Sequence, residues 1–215
     1  MEMYAEITSV STNKKRYFLT KRIKDIIGAA SGLILLSPIF LLVAFLIKIE
    51  SPKDSIFFKQ VRTGKDGEEF HMFKFRSMYV GAEEKLGELL KQNEIEGAMF
   101  KMKDDPRITK IGRFIRRSSI DEFPQFLNVL KGDMSLVGPR PPLPREVAEY
   151  TDYDMQRLSV LPGCTGLWQI SGRNNLSFDQ MVDLDIQYIE NLSLTNDIKI
   201  LCKTVGVVFN SDDAY

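Results

Sequence analysis

Residues 26–47, IIGAASGLILLSPIFLLVAFLI, form an uncharged run of 22 residues between Asp25 and Lys48. A helix of this length spans the roughly 30 Å hydrocarbon core of a bilayer. The run is too long for a secretory signal peptide and is not followed by a small-residue cleavage site. A basic cluster precedes it, as is typical of the cytoplasmic side of a membrane segment: Lys14, Lys15, Arg16, Lys21, Arg22 and Lys24.

Ser37-Pro38 lies at the middle of this run, where proline removes a backbone hydrogen bond and kinks a helix. The Ser37 hydroxyl is placed to satisfy the backbone group that is freed. The far side of the run is basic too, so the charge rule does not favour exporting it: it carries Lys48, Lys53, Lys59 and Arg62. A broken helix that enters and leaves by the same face satisfies both observations. A kinked spanning helix and a buried core helix are the alternatives.

The composition excludes several classes of protein. Lys+Arg and Asp+Glu both total 29, so the chain lacks the basic excess that binds nucleic acid through bulk charge. Cys164 and Cys202 lie far apart, without the spacing of a zinc site or a disulfide framework. The single histidine, His71, makes a Ser-His-Asp triad a poor hypothesis and leaves carboxylates as the candidate catalysts.

Short strands and separate helices follow the apolar run. Residues 55–60 and 69–75 read as strands on either side of a glycine-containing turn, which predicts a β-hairpin. The strands are too few for a doubly wound sheet. We therefore predict an α+β fold that is mostly helical, with a small β-hairpin or sheet. The predicted helices cover residues 82–92, 107–117, 178–189 and 198–209.

The segment 107–117 has the pattern of an amphipathic helix. Either its arginines face water, or the helix lies at the membrane surface and holds anionic head groups or substrate. The segment 198–209 is a second candidate for such an interfacial helix. In 107–117 the apolar face comprises Ile108, Ile111, Phe114 and Ile115, and the basic face comprises Arg113, Arg116 and Arg117.

Two adjacent acids, Asp121 and Glu122, lie within SSIDEFPQ, residues 118–125. Ser119 and Glu122 match the capping-box pattern of a helix start, which would explain the acids without any chemistry. Pro124 fits better with Asp121 as the cap, because proline is tolerated in the first turn. Either way, the anion-attracting start of a helix would lie beside Asp121. Since adjacent helical residues do not face each other, we expect the two acids to have separate roles.

Cationic side chains surround these acids in the sequence. Arg140 lies between Pro139 and Pro141, where little backbone freedom would pre-position its guanidinium for a bidentate phosphate contact. A plain proline-rich turn and a Pro-x-x-Pro ligand for a partner domain are the alternatives. Lys74 and Arg76 alternate with phenylalanines and would project from one face of a strand, which could equally be a solvated face.

Taken together, these blocks resemble the bacterial sugar transferases, the monotopic phosphoglycosyl transferases. The resemblance runs from about Lys21 to the C-terminus and includes the helix break at Ser37-Pro38. Without additional N-terminal membrane helices, the chain is similar to the minimal form of the family. The ordered motifs are FKQVRTG at 58–64, FKFRSM at 73–78, DPRIT at 105–109, SIDEFPQ at 119–125, LVGPRP at 136–141 and PGCTGLWQ at 162–169.

The resemblance implies a reaction. Such enzymes transfer a sugar-1-phosphate, here expected to be a hexose-1-phosphate, from a UDP-sugar to polyprenyl (undecaprenyl) phosphate and release UMP. The transfer takes place at the cytoplasmic face of the bacterial inner membrane, as the first membrane step of capsule or exopolysaccharide assembly. The family mechanism is ping-pong, through a covalent phosphosugar on an aspartate, which maps to Asp121.

The resemblance also implies roles for individual residues. Asp121 and Glu122 form the catalytic pair and are the expected ligands of Mg²⁺. Ser37-Pro38 becomes the break of a re-entrant, monotopic membrane helix. Residues 1–54 would form the basic segment and this helix, and residues 55–215 the cytoplasmic catalytic domain. The expected phosphate-binding residues are Lys74, Arg76, Arg116, Arg140 and Arg173, with Pro139 and Pro141 framing Arg140.

Two other functions fit the same residues. A hydrolase of lipid-linked diphosphates would use the same acids and arginines with water as acceptor. A membrane-anchored adaptor would use the proline-rich segment and would not need Asp121. The expected partners are the UDP-sugar, the polyprenyl phosphate and membrane lipids, with no nucleic acid. The oligomeric state is open, and a homodimer is one alternative.

Overall fold

The computed structural model describes residues 2–89, 102, 104–172 and 176–209, with side chains described from residue 15 to residue 206 within those ranges. The described part is mostly helical with two small sheets, which confirms the coarse prediction. Its α-helices are α1 (Glu2–Leu35), α2 (Ser37–Glu50), α3 (Leu86–Leu89), α4 (Lys110–Arg117), α5 (Gln125–Lys131), α6 (Pro144–Val147), α7 (Asp152–Met155), α8 (Phe178–Glu190) and α9 (Leu194–Phe209). Its strands are β1 (Phe57–Thr63), β2 (Glu69–Phe75), β3 (Ser135–Val137) and β4 (Gly163–Thr165).

The apolar run breaks where Ser37-Pro38 predicted. The segments Lys15–Leu35 and Ser37–Glu50 meet at an angle of 59°. Pro38 has no N–H to donate to the Ile34 carbonyl, and the Ser37 hydroxyl donates to that oxygen instead, at 2.7 Å. No helix in the described ranges could cross a membrane by itself, whereas this bent pair together has the length and composition to do so. The break is confirmed, and the re-entrant path stays a prediction.

Helix α1 is bound to the rest of the molecule by polar contacts. Arg22 donates to the carbonyls of Val129 and Leu130 at the end of α5, where orphan carbonyls attract a cation. Buried Asp25 accepts from the Ser135 hydroxyl at 2.7 Å and from the Leu136 amide at 3.1 Å. The helix that leads into the apolar run is therefore fixed directly to β3.

The predicted β-hairpin is present. β1 and β2 pair antiparallel from Phe57 opposite Phe75 to Thr63 opposite Glu69. The connection needs a left-handed backbone at Asp66, with φ of 56°, and at Gly67, with φ of 84°. The parallel pair of β3 and β4 was not predicted, because strands of three residues show no usable periodicity.

A core forms between α2, α4 and the hairpin. Ile115 and Phe75 are buried there against Val43 and Ile47 of α2. Phe114, on the predicted apolar face of α4, is not part of this core and is 61% exposed. Only one narrow side of α4 meets α2, and Phe114 lies beside that side.

The other helix predictions differ in their outcome. Residues 178–189 are helical as predicted, in α8, and 198–209 lie within α9. Of the predicted helix over residues 82–92, only Leu86–Leu89 is helical in the described ranges, and residues 90–92 lie outside them.

Candidate functional site

The two acids lie in a tight turn between α4 and α5. Ser119 takes the left-handed conformation, with φ of 54°, and a 3-10 turn spans Ile120–Glu122. Both capping hypotheses are wrong. The Ser119 side chain makes no capping hydrogen bond, and Asp121 lies inside the 3-10 turn, whereas Pro124 occupies the position before α5. The capping box therefore does not explain these acids.

Glu122 is neutralised by two cations from distant parts of the chain. Lys74 of β2 places its Nζ 2.8 Å from Glu122 Oε1. Arg140 forms a fork, with Nη2 2.9 Å from Oε1 and Nη1 3.4 Å from Oε2. Burial alone would raise the pKa of Glu122, but Arg140 and Lys74 hold that pKa far below its usual range.

Asp121 is in a different state from its neighbour. Its residue surface is 7% exposed, and its carboxylate accepts no hydrogen bond within the described part of the chain. Burial raises the pKa of Asp121 to about 6, although Lys74 opposes this shift. The structure thus separates the pair into a fixed anion, Glu122, and a carboxylate with free oxygens, Asp121.

Both acids line a large cavity of about 1520 Å³. Small-molecule sites usually measure about 300–1,000 Å³, so this cavity has room for more than one substrate. Four of the five predicted phosphate-binding residues line it together with the acids, and Arg173 lies outside the described residues. The four are Lys74, Arg76, Arg116 and Arg140.

The four cations are held in different ways. Lys74 and Arg140 are bound to Glu122, as described above. Arg76 donates through Nε to the Ser55 carbonyl at 2.7 Å, which leaves other N–H groups of its guanidinium available. Arg116 forms no ion pair within the described ranges, and its charge favours the ionised form of Asp121. An anion entering the cavity would meet Arg116 and Arg76 in particular.

The loop that carries Arg140 is fixed by backbone hydrogen bonds to β4. The Gly138 amide donates to Thr165 at 2.9 Å, and the Gly163 amide donates to Pro139 at 2.8 Å. Both glycines are required here, because a Cβ on Gly163 would overlap the backbone of Gly138. Pro139 and Pro141, on either side of Arg140, are both buried.

Arg62 was not among the predicted site residues. Arg62 of β1 lines the cavity and donates to the loop that carries Arg140, but from the sequence it was only one of the basic residues after the apolar run and part of a motif. A signal was present: Phe58, Gln60 and Arg62 alternate along β1, so they share the face that also carries Lys74 opposite Phe58.

Within the described ranges no group of three or more His, Cys, Asp or Glu side chains could hold a metal ion. Mg²⁺ often binds through one or two carboxylates and the phosphates of a substrate, so a three-residue cluster is not required. Asp121 has free oxygens for such a contact, whereas both oxygens of Glu122 already face cations. The donor set therefore fits a metal that arrives with a diphosphate and binds Asp121.

Comparison with known proteins adds to this geometry. The sequence model of the family described as "bacterial sugar transferase" matches residues 16–211. The chain is 50% identical over 211 residues to the galactosyl transferase CpsE of Streptococcus agalactiae serotype III, which covers 96% of this chain and 46% of CpsE. It is 45% identical over 199 residues to the undecaprenyl-phosphate galactose phosphotransferase of Salmonella typhimurium, covering 91% and 41% of the two chains.

A third relative is similar in length. The exopolysaccharide production protein ExoY of Rhizobium meliloti is 41% identical over 201 residues, which cover 92% of this chain and 88% of ExoY. By contrast, the chain spans about half the length, or less, of CpsE and the Salmonella phosphotransferase. The family match covers nearly the whole chain, including both acids and the cations around them. The chain therefore belongs to the bacterial sugar transferase family of enzymes.

Proposed function

We propose that this enzyme transfers a hexose-1-phosphate from a UDP-sugar to undecaprenyl phosphate, through a covalent phosphosugar on Asp121. The observation that carries the proposal is the difference between the surroundings of the two acids. Asp121 has free oxygens in the cavity, while Lys74 and Arg140 neutralise Glu122. The names of the relatives support the substrate classes, since one acts as an undecaprenyl-phosphate galactose phosphotransferase. Names of other relatives refer to exopolysaccharide production.

In the first step an Asp121 carboxylate oxygen attacks the sugar-bearing phosphorus of the UDP-sugar. A P–O bond to aspartate forms, the P–O bond to UMP breaks, and UMP leaves with the electron pair. In the second step an oxygen of undecaprenyl phosphate attacks the same phosphorus. The aspartyl P–O bond breaks and restores the free carboxylate, so no net proton is consumed. Carboxylates serve as covalent nucleophiles of this kind in aspartyl-phosphate enzymes.

The surrounding residues would make this attack feasible. A carboxylate and a diphosphate repel each other, so positive charge must lie around the phosphates. Arg116 and Arg76 line the cavity and are not paired with an acid within the described ranges. Glu122 holds Lys74 and Arg140 in place, and the donor phosphates would share these two cations. Mg²⁺ held by Asp121 and the diphosphate would neutralise further charge.

We propose that the bent helices α1 and α2 enter the membrane and return to its cytoplasmic face. The exposed residues near the break are large and apolar, including Ile34, Leu35 and Leu41. Leu36, at the break itself, lines the same cavity as Asp121. A lipid phosphate held at the membrane surface could thus reach the carboxylate that a water-soluble nucleotide sugar also reaches. This arrangement would be consistent with an enzyme at the cytoplasmic face of the inner membrane, on the side where UDP-sugars are made.

The covalent intermediate gives the decisive test. Purified enzyme is mixed with Mg²⁺ and each of several UDP-hexoses, without lipid acceptor, and its intact mass is measured. We expect a hexose-phosphate adduct with at least one donor, absent in Asp121→Asn and present in the exposed control Asp179→Asn. Absence of the adduct in a preparation that still forms lipid-linked sugar would contradict the covalent route. UMP release with no lipid-linked product when undecaprenyl phosphate is added would favour the hydrolase.

A further inference from the structure

Arg62 connects the β-hairpin to the loop that carries Arg140. Its Nη1 donates to the Pro141 carbonyl at 2.9 Å. Its Nε and Nη2 both donate to Gln60 Oε1, at 3.1 and 2.8 Å. Three of the five N–H groups of a guanidinium are therefore used, and they point in two directions. One side of Arg62 is fixed to its own strand, and the other side holds the loop.

The next residue of β1 adds a second bond to the same loop. The Thr63 amide donates to the Pro142 carbonyl at 2.9 Å. The end of β1 therefore binds the carbonyls of the two residues that directly follow Arg140. Together with the bonds of β4 to Gly138 and Pro139, these contacts hold the loop on both sides of Arg140.

The position of this loop matters because Arg140 contacts the Glu122 carboxylate. Its fork to Glu122 requires both Nη atoms in one plane with the carboxylate, and such bidentate contacts are sensitive to small displacements. Proline at 139 and 141 restricts the backbone, but Pro141 has no N–H with which to anchor the loop. The Pro141 carbonyl can still accept a hydrogen bond, and the bond from Arg62 anchors the loop at this position.

We propose that Arg62 is a positioning residue that sets the place of Arg140 and, through Arg140, the affinity of the cavity for the diphosphate of a nucleotide donor. This inference rests on the proposed function, since it assumes that Arg140 contacts donor phosphate. In this role the shape of the Arg62 guanidinium matters, and its positive charge alone is not sufficient. A lysine at position 62 keeps the charge but cannot bond both Gln60 and Pro141 in the same fork.

A double-mutant cycle on UDP binding tests the inference. UDP with Mg²⁺ is titrated by isothermal calorimetry into wild type, Arg62→Lys, Arg140→Gln and the double variant. Fluorescence of Trp168, the single tryptophan and a cavity residue, gives an independent readout. We expect Arg62→Lys to weaken UDP binding about 5- to 30-fold, which is about 1–2 kcal/mol and lies between a neutral and a charge-assisted hydrogen bond. In the Arg140→Gln background we expect less than a twofold further change.

Two further variants guard against a folding artefact. Gln60→Ala removes the partner that orients Arg62 without changing any charge, and we expect it to weaken UDP binding in the same direction. Lys59→Gln lies on the exposed face of the same strand and should bind UDP like wild type. Thermal unfolding of each variant separates loss of structure from loss of affinity.

The outcomes distinguish the inference from the proposed function. If Arg62→Lys binds UDP as tightly as wild type, or loses the same factor with and without Arg140, then Arg62 does not act through Arg140 and the inference is wrong. In that case the wild-type phosphosugar adduct would still support the proposed function. If wild type binds no UDP and forms no adduct, the proposed function fails, and the inference fails with it.

Discussion

The Nζ atom of Lys74 lies 2.8 Å from Oε1 of Glu122, although the two residues are 48 positions apart in the chain. Because of this contact, the two adjacent acids differ in their ion pairing. Glu122 is held ionised by Lys74 and Arg140, whereas Asp121 keeps its oxygens free in a buried position. Enzymes often divide a carboxylate pair in this way, and the division predicts how each acid responds to substitution and to pH.

Glu122→Gln should destabilise the protein. The change leaves the buried charges of Lys74 and Arg140 without their anion, and breaking such pairs costs up to about 3–5 kcal/mol in closed interiors. The Glu122 side chain is 22% exposed in an open cavity, so we expect about 1–3 kcal/mol. Thermal or denaturant unfolding at pH 7 measures the loss, with the exposed Glu88→Gln as the matched control. Equal stability of Glu122→Gln and wild type would refute the structural role of these ion pairs.

Asp121→Asn should instead stabilise the folded protein at alkaline pH. An aspartate whose pKa is raised to about 6 in the folded protein stabilises it when protonated, and this stability is lost as the pH rises through 6. At pH 8 the ionised carboxylate therefore costs stability that asparagine does not cost. We expect the variant to be more stable than wild type by about 1–3 kcal/mol at pH 8, with a smaller difference at pH 5. A gain that is independent of pH would contradict this explanation.

The rate of adduct formation should depend on pH. The nucleophile is the ionised form of Asp121, so the rate at low UDP-sugar concentration should rise with pH, with a midpoint near 6. Burial lowers the pKa of Lys74, so the rate should fall again at alkaline pH, earlier than for an ordinary lysine. Single-turnover mass spectrometry between pH 5 and 10 measures both limbs. A rate that does not change between pH 5 and 7 would show that ionisation of Asp121 does not control adduct formation.

Pro38→Ala should change the path of the N-terminal helices. With the backbone N–H restored, residues 15–50 can continue as one helix about 54 Å long, enough to cross a bilayer. We expect an N-terminal tag to move from the cytoplasmic to the external side, as measured by protease accessibility in spheroplasts and inverted vesicles. Ser37→Ala is the control, since it removes one hydrogen bond to Ile34 and keeps the proline. An unchanged tag position in Pro38→Ala would show that the proline does not determine the topology.

Some predictions failed for identifiable reasons. The capping-box pattern at Ser119 and Glu122 is local, but Glu122 gains more from two cations than from a backbone amide. A helical wheel places Phe114 on the same face as Ile115 but does not show how wide a strip of that face the partner helices bury, and of these two residues only Ile115 is buried. Arg62 was overlooked because its role depends on a loop 79 positions away.

The sequence by itself determined the features that depend on neighbours in the chain. Pro38 lacks an N–H in any fold, so the helix breaks there, and the alternating residues on either side of Gly64 and Gly67 pair as a hairpin. The family also follows from the order of the motifs. Only the tertiary structure decided which of the two acids is neutralised. That choice depends on Lys74 and Arg140, which approach from a strand and a loop and lower the energy of the ionised Glu122 carboxylate, whereas the Asp121 oxygens stay without a hydrogen bond from the described residues in the cavity.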